Sequence, residues 1–197
     1  MVDIARLKAA NAARWAAMQV HPYFLQALDH VAAQLIADGA KHRYQAVADQ
    51  TSVPWYVIAV IHEREASQSW AANLAQGDPW NRVSIHVPRG RGPFASWEAA
   101  AVDALENCAP RAAHWIDWSP GGLFTILEEY NGLGYAAMGM PSPYIWASTD
   151  QYVRGKYVSD GHYDPHAVDQ QLGCAALLRR MMAADSSISI SVGTGQS

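Results

Sequence analysis

Apolar residues recur at helical spacing through most of this chain, and turn-forming residues divide the pattern into short segments. Positions three and four apart, such as Leu28, Val31 and Leu35, place their side chains on one face of a helix. The pattern predicts helices over 3–18, 22–38, 41–49, 54–67, 96–108 and 120–131, a short helix near 147–154, and a last helix that begins at Asp164-Pro165.

Capping residues support several of these helices. Ser52, Ser96 and Ser119 each stand just before a predicted helix. A serine side chain accepts a hydrogen bond from a first-turn N–H, and the proline that follows Ser119 costs no hydrogen bond at the first helical position. Gly39 is expected to end the second helix.

The segment from Trp70 to Phe94 breaks the helical pattern. It is rich in glycine and proline and contains one alternating run, 82–87. Alternation with turn residues predicts a small β element or an ordered loop region. The fold class is therefore predicted as mainly α, with a small β-hairpin or loop subdomain at about 70–94.

Composition indicates one globular domain. Half of the 197 residues are hydrophobic and 16% are charged, which favours a single domain over 1–188 with a flexible tail over 189–197. The net charge of −4 argues against nucleic acid as a partner. Eight Trp and nine Tyr are numerous enough to supply stacking surfaces for sugar rings as well as core contacts.

Cysteine content and apolar run lengths bear on the compartment. Cys108 and Cys174 lie in predicted helices and are expected to be free buried thiols, although one disulfide bridge stays open as an alternative. No apolar run approaches the length of about 18 residues that a membrane span needs. The first twenty residues lack the apolar core of a typical secretion signal, so we expect synthesis in the cytoplasm without one.

Two glutamates close the apolar helix predicted over 54–67. Each residue turns a helix by about 100°, so Glu65 shares a face with Ile58 and Ile61 while Glu63 points elsewhere. A carboxyl group where an apolar helix meets a cleft has a raised pKa and can act as a general acid. The alternative for Glu65 is a salt bridge, for instance with Arg64 or Arg91.

Asp78, in the turn GDPW, is the candidate second carboxylate. A carboxylate on a polar loop stays ionised, and together with a protonated glutamate it would meet the needs of glycoside hydrolysis. An inverting enzyme holds the two groups roughly 6.5–9.5 Å apart, and a retaining enzyme about 5 Å apart. The alternative is that Asp78 only shapes its turn before Pro79.

Other chemistry is weakly represented. His62-Glu63 begins a zinc-helix pattern, but Ala66 stands where the second histidine would be. The remaining histidines, including His86, show no ligand spacing, and the segment PRGRGP lacks the residues of a phosphate-binding loop. We therefore expect no metal and no cofactor.

A second motif ends the helix predicted over 120–131. Tyr130 and Asn131 place a ring and an amide at its C-terminal edge, where the amide can bind the donors and acceptors of an N-acetylated sugar. The alternative is that Asn131 and Gly132 simply terminate the helix.

Taken together, these motifs resemble the lysozyme superfamily, particularly goose-type lysozymes and soluble lytic transglycosylases. Their helix ending in I-x-x-R/Q-E-S is matched here by 61–66, with Ala66 in place of serine, and their Y-N-A-G motif by 130–132. Bacterial and phage lysozyme-like proteins with an IHxRE helix are more similar still, through Asn73-Leu74, 77–79 and 92–105. The resemblance covers roughly residues 50–150.

The resemblance implies an α+β lysozyme-like fold and cleavage of the β-1,4 bond between N-acetylmuramic acid and N-acetylglucosamine. The glycan strands of peptidoglycan would be the partner, and the protein is expected to be a monomer. Glu65 would be the general acid, and Asp78 would activate water or stabilise the oxocarbenium-like state. The substrate-binding side chains would be Tyr130 and Asn131, with Tyr144 and Trp146 as further candidates for the cleft wall.

Three alternatives stay open. A lytic transglycosylase would use the muramyl 6-hydroxyl as nucleophile, and a chitinase-like enzyme would accept glycans without peptide stems. A non-catalytic glycan-binding module of a phage particle would bind without turnover. For a phage-derived protein, the cell wall would be reached through holin-mediated release or on the virion.

Overall fold

The fold is described from a computed structural model, which describes residues 2–75, 77–86, 88–159 and 161–190. The described chain is mainly helical with a small two-stranded antiparallel sheet, which confirms the predicted fold class. The helices are α1 (Ile4–Ala17), α2 (Leu25–Leu35), α3 (Asp38–Thr51), α4 (Trp55–Ala66), α5 (Trp97–Asn107), α6 (Pro120–Asn131), α7 (Gly134–Ala137), α8 (Pro143–Trp146) and α9 (Cys174–Ala184), with 3-10 turns at Pro22–Phe24 and Ala112–His114.

The chain divides into two compact units. One, the terminal unit, comprises Met1–Ala32 and Asp117–Ser197. The other, the central unit, comprises Ala33–Ile116. The candidate carboxylates Glu65 and Asp78 both belong to the central unit.

In the terminal unit, α1 packs closely against α6. A Cβ atom at Gly121 would lie 2.6 Å from the carbonyl oxygen of Lys8, so the two backbones can approach this closely only because Gly121 has no side chain. Trp15 packs on Phe124 with ring centroids 5.0 Å apart, and Phe124 packs on Trp146 at 5.1 Å. These rings form the centre of the core of this unit.

The sheet also lies in the terminal unit. Strand β1 (Lys156–Ser159) pairs with β2 (His162–Asp164), and Tyr157 stands opposite Tyr163. The hydroxyl of Tyr135 accepts a hydrogen bond of 2.8 Å from the N–H of Tyr157, and the two rings meet edge to face. The hairpin is therefore fixed by a contact from a distant tyrosine.

Residues 70–94 form the loop alternative of the sequence prediction. Their described part consists of turns and an isolated bridge between Ala72 and Pro79, without a strand pair. The alternation at 82–87 puts Val83 and Ile85 outside, 53% and 69% exposed, and buries Ser84. Because the inward side chain is polar and bonds to the loop itself, the run does not become a strand on an apolar core.

In the central unit, α4 packs with α3 and α5 to form the core. Every residue of α4 from Val57 to His62 is buried. The helices beside it contribute these buried side chains: Tyr44 and Val47 from α3, and Trp97, Ala101 and Leu105 from α5.

The last helix is shorter than predicted. The carboxylate of Asp164 accepts hydrogen bonds from the N–H groups of His166 and Ala167, which makes a turn where a helix was predicted to start. At Gly173, the N-cap of α9, a Cβ atom would lie 2.4 Å from the carbonyl oxygen of Ala147. The helix therefore begins only at Cys174, after this close backbone approach.

Other predicted boundaries also move. The helix predicted near 147–154 does not form: α8 ends at Trp146, and Ser148 follows with φ 66°. Gly39 lies inside the first turn of α3 instead of ending α2. Ser52 ends α3 in the left-handed conformation, and Pro54 is the residue that precedes α4.

Cys108 and Cys174 are buried and form no disulfide, as predicted. Ile188 is buried at the end of the predicted domain, Ile190 is buried within the predicted tail, and residues 191–197 lie outside the described residues. None of the helices in the described ranges has the length and hydropathy needed to cross a membrane.

Candidate active site

Glu65 lies in the last turn of α4. The helix ends at Ala66 because Ser67 takes the left-handed conformation, with φ 47° and ψ 44°. The N–H of Ser67 donates to the carbonyl of Glu63 at 2.9 Å, and the N–H of Gln68 donates to the carbonyl of His62 at 3.2 Å. These bonds satisfy terminal carbonyl groups and hold the half-buried Glu65 at the boundary between helix and loop.

Glu63 is half-buried as well, so exposure does not separate the two glutamates. Its carboxylate accepts a hydrogen bond of 2.9 Å from the side-chain amide of Gln68. Glu63 therefore helps to close the helix end by accepting this hydrogen bond from Gln68.

His62 is fully buried directly behind these glutamates and is neutral. Its Nε2 lies 3.1 Å from the carbonyl oxygen of Ser69, which can only accept, so Nε2 carries the proton. Nδ1 then accepts from the Tyr44 hydroxyl at 2.9 Å. Burial lowers the pKa of His62 to about 4, which keeps the ring uncharged at neutral pH.

Aromatic rings surround His62. The ring centroids of Trp70 and Trp97 lie 4.6 and 4.7 Å from that of His62. The guanidinium of Arg43 lies 4.0 Å from the centre of the Trp70 ring and pairs with Glu98. Glu98 therefore has a structural partner in Arg43.

The carboxylate of Asp78 is buried and holds the loop together. Oδ2 accepts from the backbone N–H groups of Ile85 and His86, both at 3.0 Å. Oδ1 lies 2.7 Å from Nδ1 of His86. The hydrogen bonds from His86 and Ile85 outweigh burial and lower the pKa of Asp78, so this carboxylate is ionised at neutral pH.

Gly77 brings the Asp78 turn against the end of α4. A Cβ atom on Gly77 would lie 3.7 Å from the carbonyl oxygen of Glu65, and its φ of +70° is one that favours glycine. The residue next to Asp78 therefore lies close to the backbone of Glu65. The structure brings together the two chain segments that carry the candidate carboxylates.

Ser84 organises the far side of the same loop. Its N–H donates to the carbonyl of Arg91 at 2.8 Å, and its hydroxyl accepts from the N–H of Arg91 at 2.9 Å. The side chain of Arg91 pairs with Asp103 of α5. The sequence suggested Arg91 as one possible salt-bridge partner of Glu65, and in the structure Arg91 pairs with Asp103.

Tyr130 and Asn131 lie at the end of α6 in the terminal unit, as predicted. Asn131 is exposed, and its side-chain amide lies 3.4 Å from the hydroxyl of Ser142. Tyr130 is half-buried. The α6 helix ends at Asn131, with Gly132 as its C-cap at φ 88°, so these residues also serve the terminating role that was the alternative.

Tyr144 and Trp146 are core residues in this structure. Trp146 has no exposed surface and packs on Phe124, and Tyr144 is 3% exposed. A side chain without exposed surface cannot stack on a sugar, so neither residue forms a cleft wall in this conformation. The sequence suggested that they contact sugar because both side chains are aromatic, but an aromatic side chain suits a core equally well.

A second buried carboxyl group, Glu128, lies on α6 and was not singled out from the sequence. It is 1% exposed, and its Oε2 accepts a long hydrogen bond of 3.4 Å from Asn11. Its Oε1 has no hydrogen-bond partner within the described residues. Burial raises the pKa of Glu128, with Asn11 and Arg14 acting in the opposite direction.

His86 is the residue at the candidate site that sequence reasoning missed. It was considered only as a metal ligand, yet its imidazole lies against Asp78 while most of the ring faces solvent. A histidine eight residues after an aspartate within one loop was the available signal. Across the described residues, no group of three or more histidine, cysteine or acidic side chains is arranged to hold a metal ion.

Comparison with known proteins adds no relative: no family model, no curated protein and no solved structure matches this chain.

Proposed function

We propose that this protein is a peptidoglycan hydrolase that cleaves the β-1,4 bond between N-acetylmuramic acid and N-acetylglucosamine, with Glu65 as the general acid. The observation that carries the proposal is the close approach of the Gly77 turn to the last turn of α4, at the carbonyl group of Glu65. It brings together the IHEREA and NLxxGDP segments, on which the resemblance to lysozyme-like proteins rests.

The environment of Glu65 supports this role. It lies at a helix end backed by the fully buried Val57–His62 segment, next to a loop that hydrogen bonds keep ordered. A general acid must be held in one position and still reach its substrate. Half-burial at a closed helix end meets both requirements.

The proposed division of roles follows from these environments. Glu65 would donate a proton to the leaving glycosidic oxygen as positive charge develops at the anomeric carbon. Exposed Asn131 and half-buried Tyr130 stay candidates for sugar contacts on the basis of their chemistry. Neither a metal nor a cofactor has a part in the proposed reaction.

The hydrogen bonds of Asp78 are a reason to test the transglycosylase alternative. Its two oxygens already take part in three hydrogen bonds, which leaves it poorly placed to remove a proton from water. Without a group that activates water, the muramyl 6-hydroxyl could attack and give an anhydro product. Mass spectrometry separates this product from the reducing-end sugar of hydrolysis.

The first test replaces the proposed acid. Glu65→Gln keeps the size of the side chain but removes its transferable proton, so clearance of purified peptidoglycan should fall by about 100-fold or more. Turbidity decrease measures the rate, and circular dichroism checks that the variant is folded.

Glu63→Gln is the matched control, since it makes the same change two residues away on the same helix end. It should keep most of the activity. Full activity in Glu65→Gln, or equal losses in the two variants, would reject the assignment of Glu65. Binding of peptidoglycan by the wild-type chain without any product would instead support the non-catalytic module.

A further inference from the structure

The pair formed by Asp78 and His86 has the geometry of an oriented imidazole. The side chain of Asp78 is 8% exposed, whereas that of His86 is 69% exposed, and the two meet at 2.7 Å. The backbone N–H groups of Ile85 and His86 fix the other carboxylate oxygen. The aspartate is therefore immobilised in the loop, and the histidine is attached to it at the surface.

This contact determines which ring nitrogen of His86 carries the proton. An ionised carboxylate can only accept, so Nδ1 must donate to Asp78. In the neutral ring Nε2 then has the free lone pair. A histidine whose Nδ1–H is held by a buried carboxylate and whose Nε2 is open is arranged to accept a proton at Nε2.

The loop that carries His86 also approaches the helix end that carries Glu65. The ring of His86 bonds to Asp78, and a Cβ atom on the neighbouring Gly77 would lie 3.7 Å from the carbonyl oxygen of Glu65. All of these residues belong to the central unit. The imidazole is thus attached to the turn that lies against the proposed acid.

We propose that His86 is the base that activates water in this site and that Asp78 is its positioning residue. This inference rests on the proposed function and replaces the predicted role of Asp78 as the base. The assignment resolves the difficulty that Asp78 is fully engaged, because the proton is accepted by a group whose lone pair is open.

The proposed step balances as follows. Nε2 of His86 takes a proton from water as the water oxygen bonds to the anomeric carbon. The bond from that carbon to the bridging oxygen breaks, and Glu65 transfers its proton to the leaving oxygen. The products are two shorter glycans, an imidazolium on His86 and a carboxylate on Glu65. Proton exchange with solvent restores both groups.

The test compares His86→Ala with His114→Ala. Both histidines are exposed members of the central unit and pair with a carboxylate, since His114 lies 3.5 Å from Glu106. His86→Ala should lower kcat by about 100-fold with little change in KM, because a base acts on the reacting water more than on binding. His114→Ala should keep wild-type kcat.

Two further readouts separate a base from a structural contact. Free imidazole should restore activity to His86→Ala, since the vacated position is open to solvent, and should leave His114→Ala unchanged. Asp78→Asn should lower kcat as well, because its amide would donate to Nδ1 and move the ring proton to Nε2.

Each outcome has one meaning. Reduced activity that imidazole restores, with an intact fold by circular dichroism, supports the inference. Unchanged kcat in His86→Ala, loss without imidazole rescue, or loss through unfolding overturns it. Activity that needs Glu65 but not His86 rejects this inference alone, whereas no bond cleavage by the wild-type chain rejects the proposed function.

Discussion

Asp78 in the central unit and Glu128 in the terminal unit are both buried carboxyl groups, yet their pKa values shift in opposite directions. Asp78 receives three hydrogen bonds, two of them from backbone N–H groups, and its pKa is lowered. Glu128 accepts a long bond of 3.4 Å from Asn11, and burial raises its pKa. The supply of donors, more than the loss of solvent, therefore decides the direction in which the pKa of a buried acid shifts.

The largest effect is expected from removing the donor to Glu128. Asn11 is fully buried and also donates to Thr125 at 3.3 Å. Asn11→Ala should lower the free energy of unfolding by about 2 kcal/mol, because it leaves a void and buried polar atoms without partners. Urea denaturation at neutral pH measures this loss.

The control for that change is Asn107→Ala, which removes an exposed asparagine from α5. Its cost should stay within about 0.5 kcal/mol. Equal costs for the two variants would show that the Asn11 network contributes little, and the contrast between the carboxyl groups would then need another cause.

An intermediate effect is expected when Glu128 is made non-titratable. A raised folded-state pKa means that the folded protein binds the proton more tightly, so this group adds stability as the pH falls from neutral toward the unfolded value. Glu128→Gln should lack this gain. Relative to wild type, the variant should lose stability between pH 7 and pH 4.5, the ordinary pKa value of a glutamate.

Denaturation curves at both pH values give this difference. A Glu128→Gln profile parallel to wild type would contradict the raised pKa.

The smallest effect on stability is expected at Asp78. A lowered folded-state pKa has the opposite sign: the stabilisation is present above the unfolded value of 3.8 and is lost as the pH falls through the folded value. Asp78→Asn should lower the thermal midpoint slightly at pH 7, because its amide oxygen can still accept the backbone N–H groups.

The difference in midpoint between Asp78→Asn and wild type should shrink as the pH falls below about 3.8, because the unfolded wild-type chain then binds the proton more readily than the folded protein. Thermal unfolding followed by circular dichroism at several acidic pH values measures it. A difference that grows on acidification would mean that Asp78 resembles Glu128 after all.

The helices were predictable where local signals determine them. Ser96 and Ser119 cap α5 and α6 as the sequence predicts, with side chains that accept first-turn hydrogen bonds. The start of α9 was not predictable, because it depends on the close approach of Gly173 to the backbone of Ala147. The hairpin was missed for a similar reason, since Tyr135 fixes it from a distance.

The candidate site was likewise predictable only where local signals determine it. The position of Glu65 at a helix end could be predicted from periodicity and from the polar residues that follow it. The engagement of Asp78 could not, because its donors lie seven and eight residues away, across a loop whose shape periodicity does not encode. The burial of Trp146 could not be predicted either, because the sequence alone does not tell whether an aromatic side chain lies in the core or at the surface.

The loop centred on Ser84 has a thermodynamic consequence. Its order comes from hydrogen bonds of Asp78 and Ser84, while Val83 and Ile85 face solvent even when the loop is closed. Local opening would therefore expose little additional apolar surface and would carry only a small change in heat capacity. The proposed catalytic loop should keep its shape on cooling, even as the hydrophobic contribution to the helical core weakens.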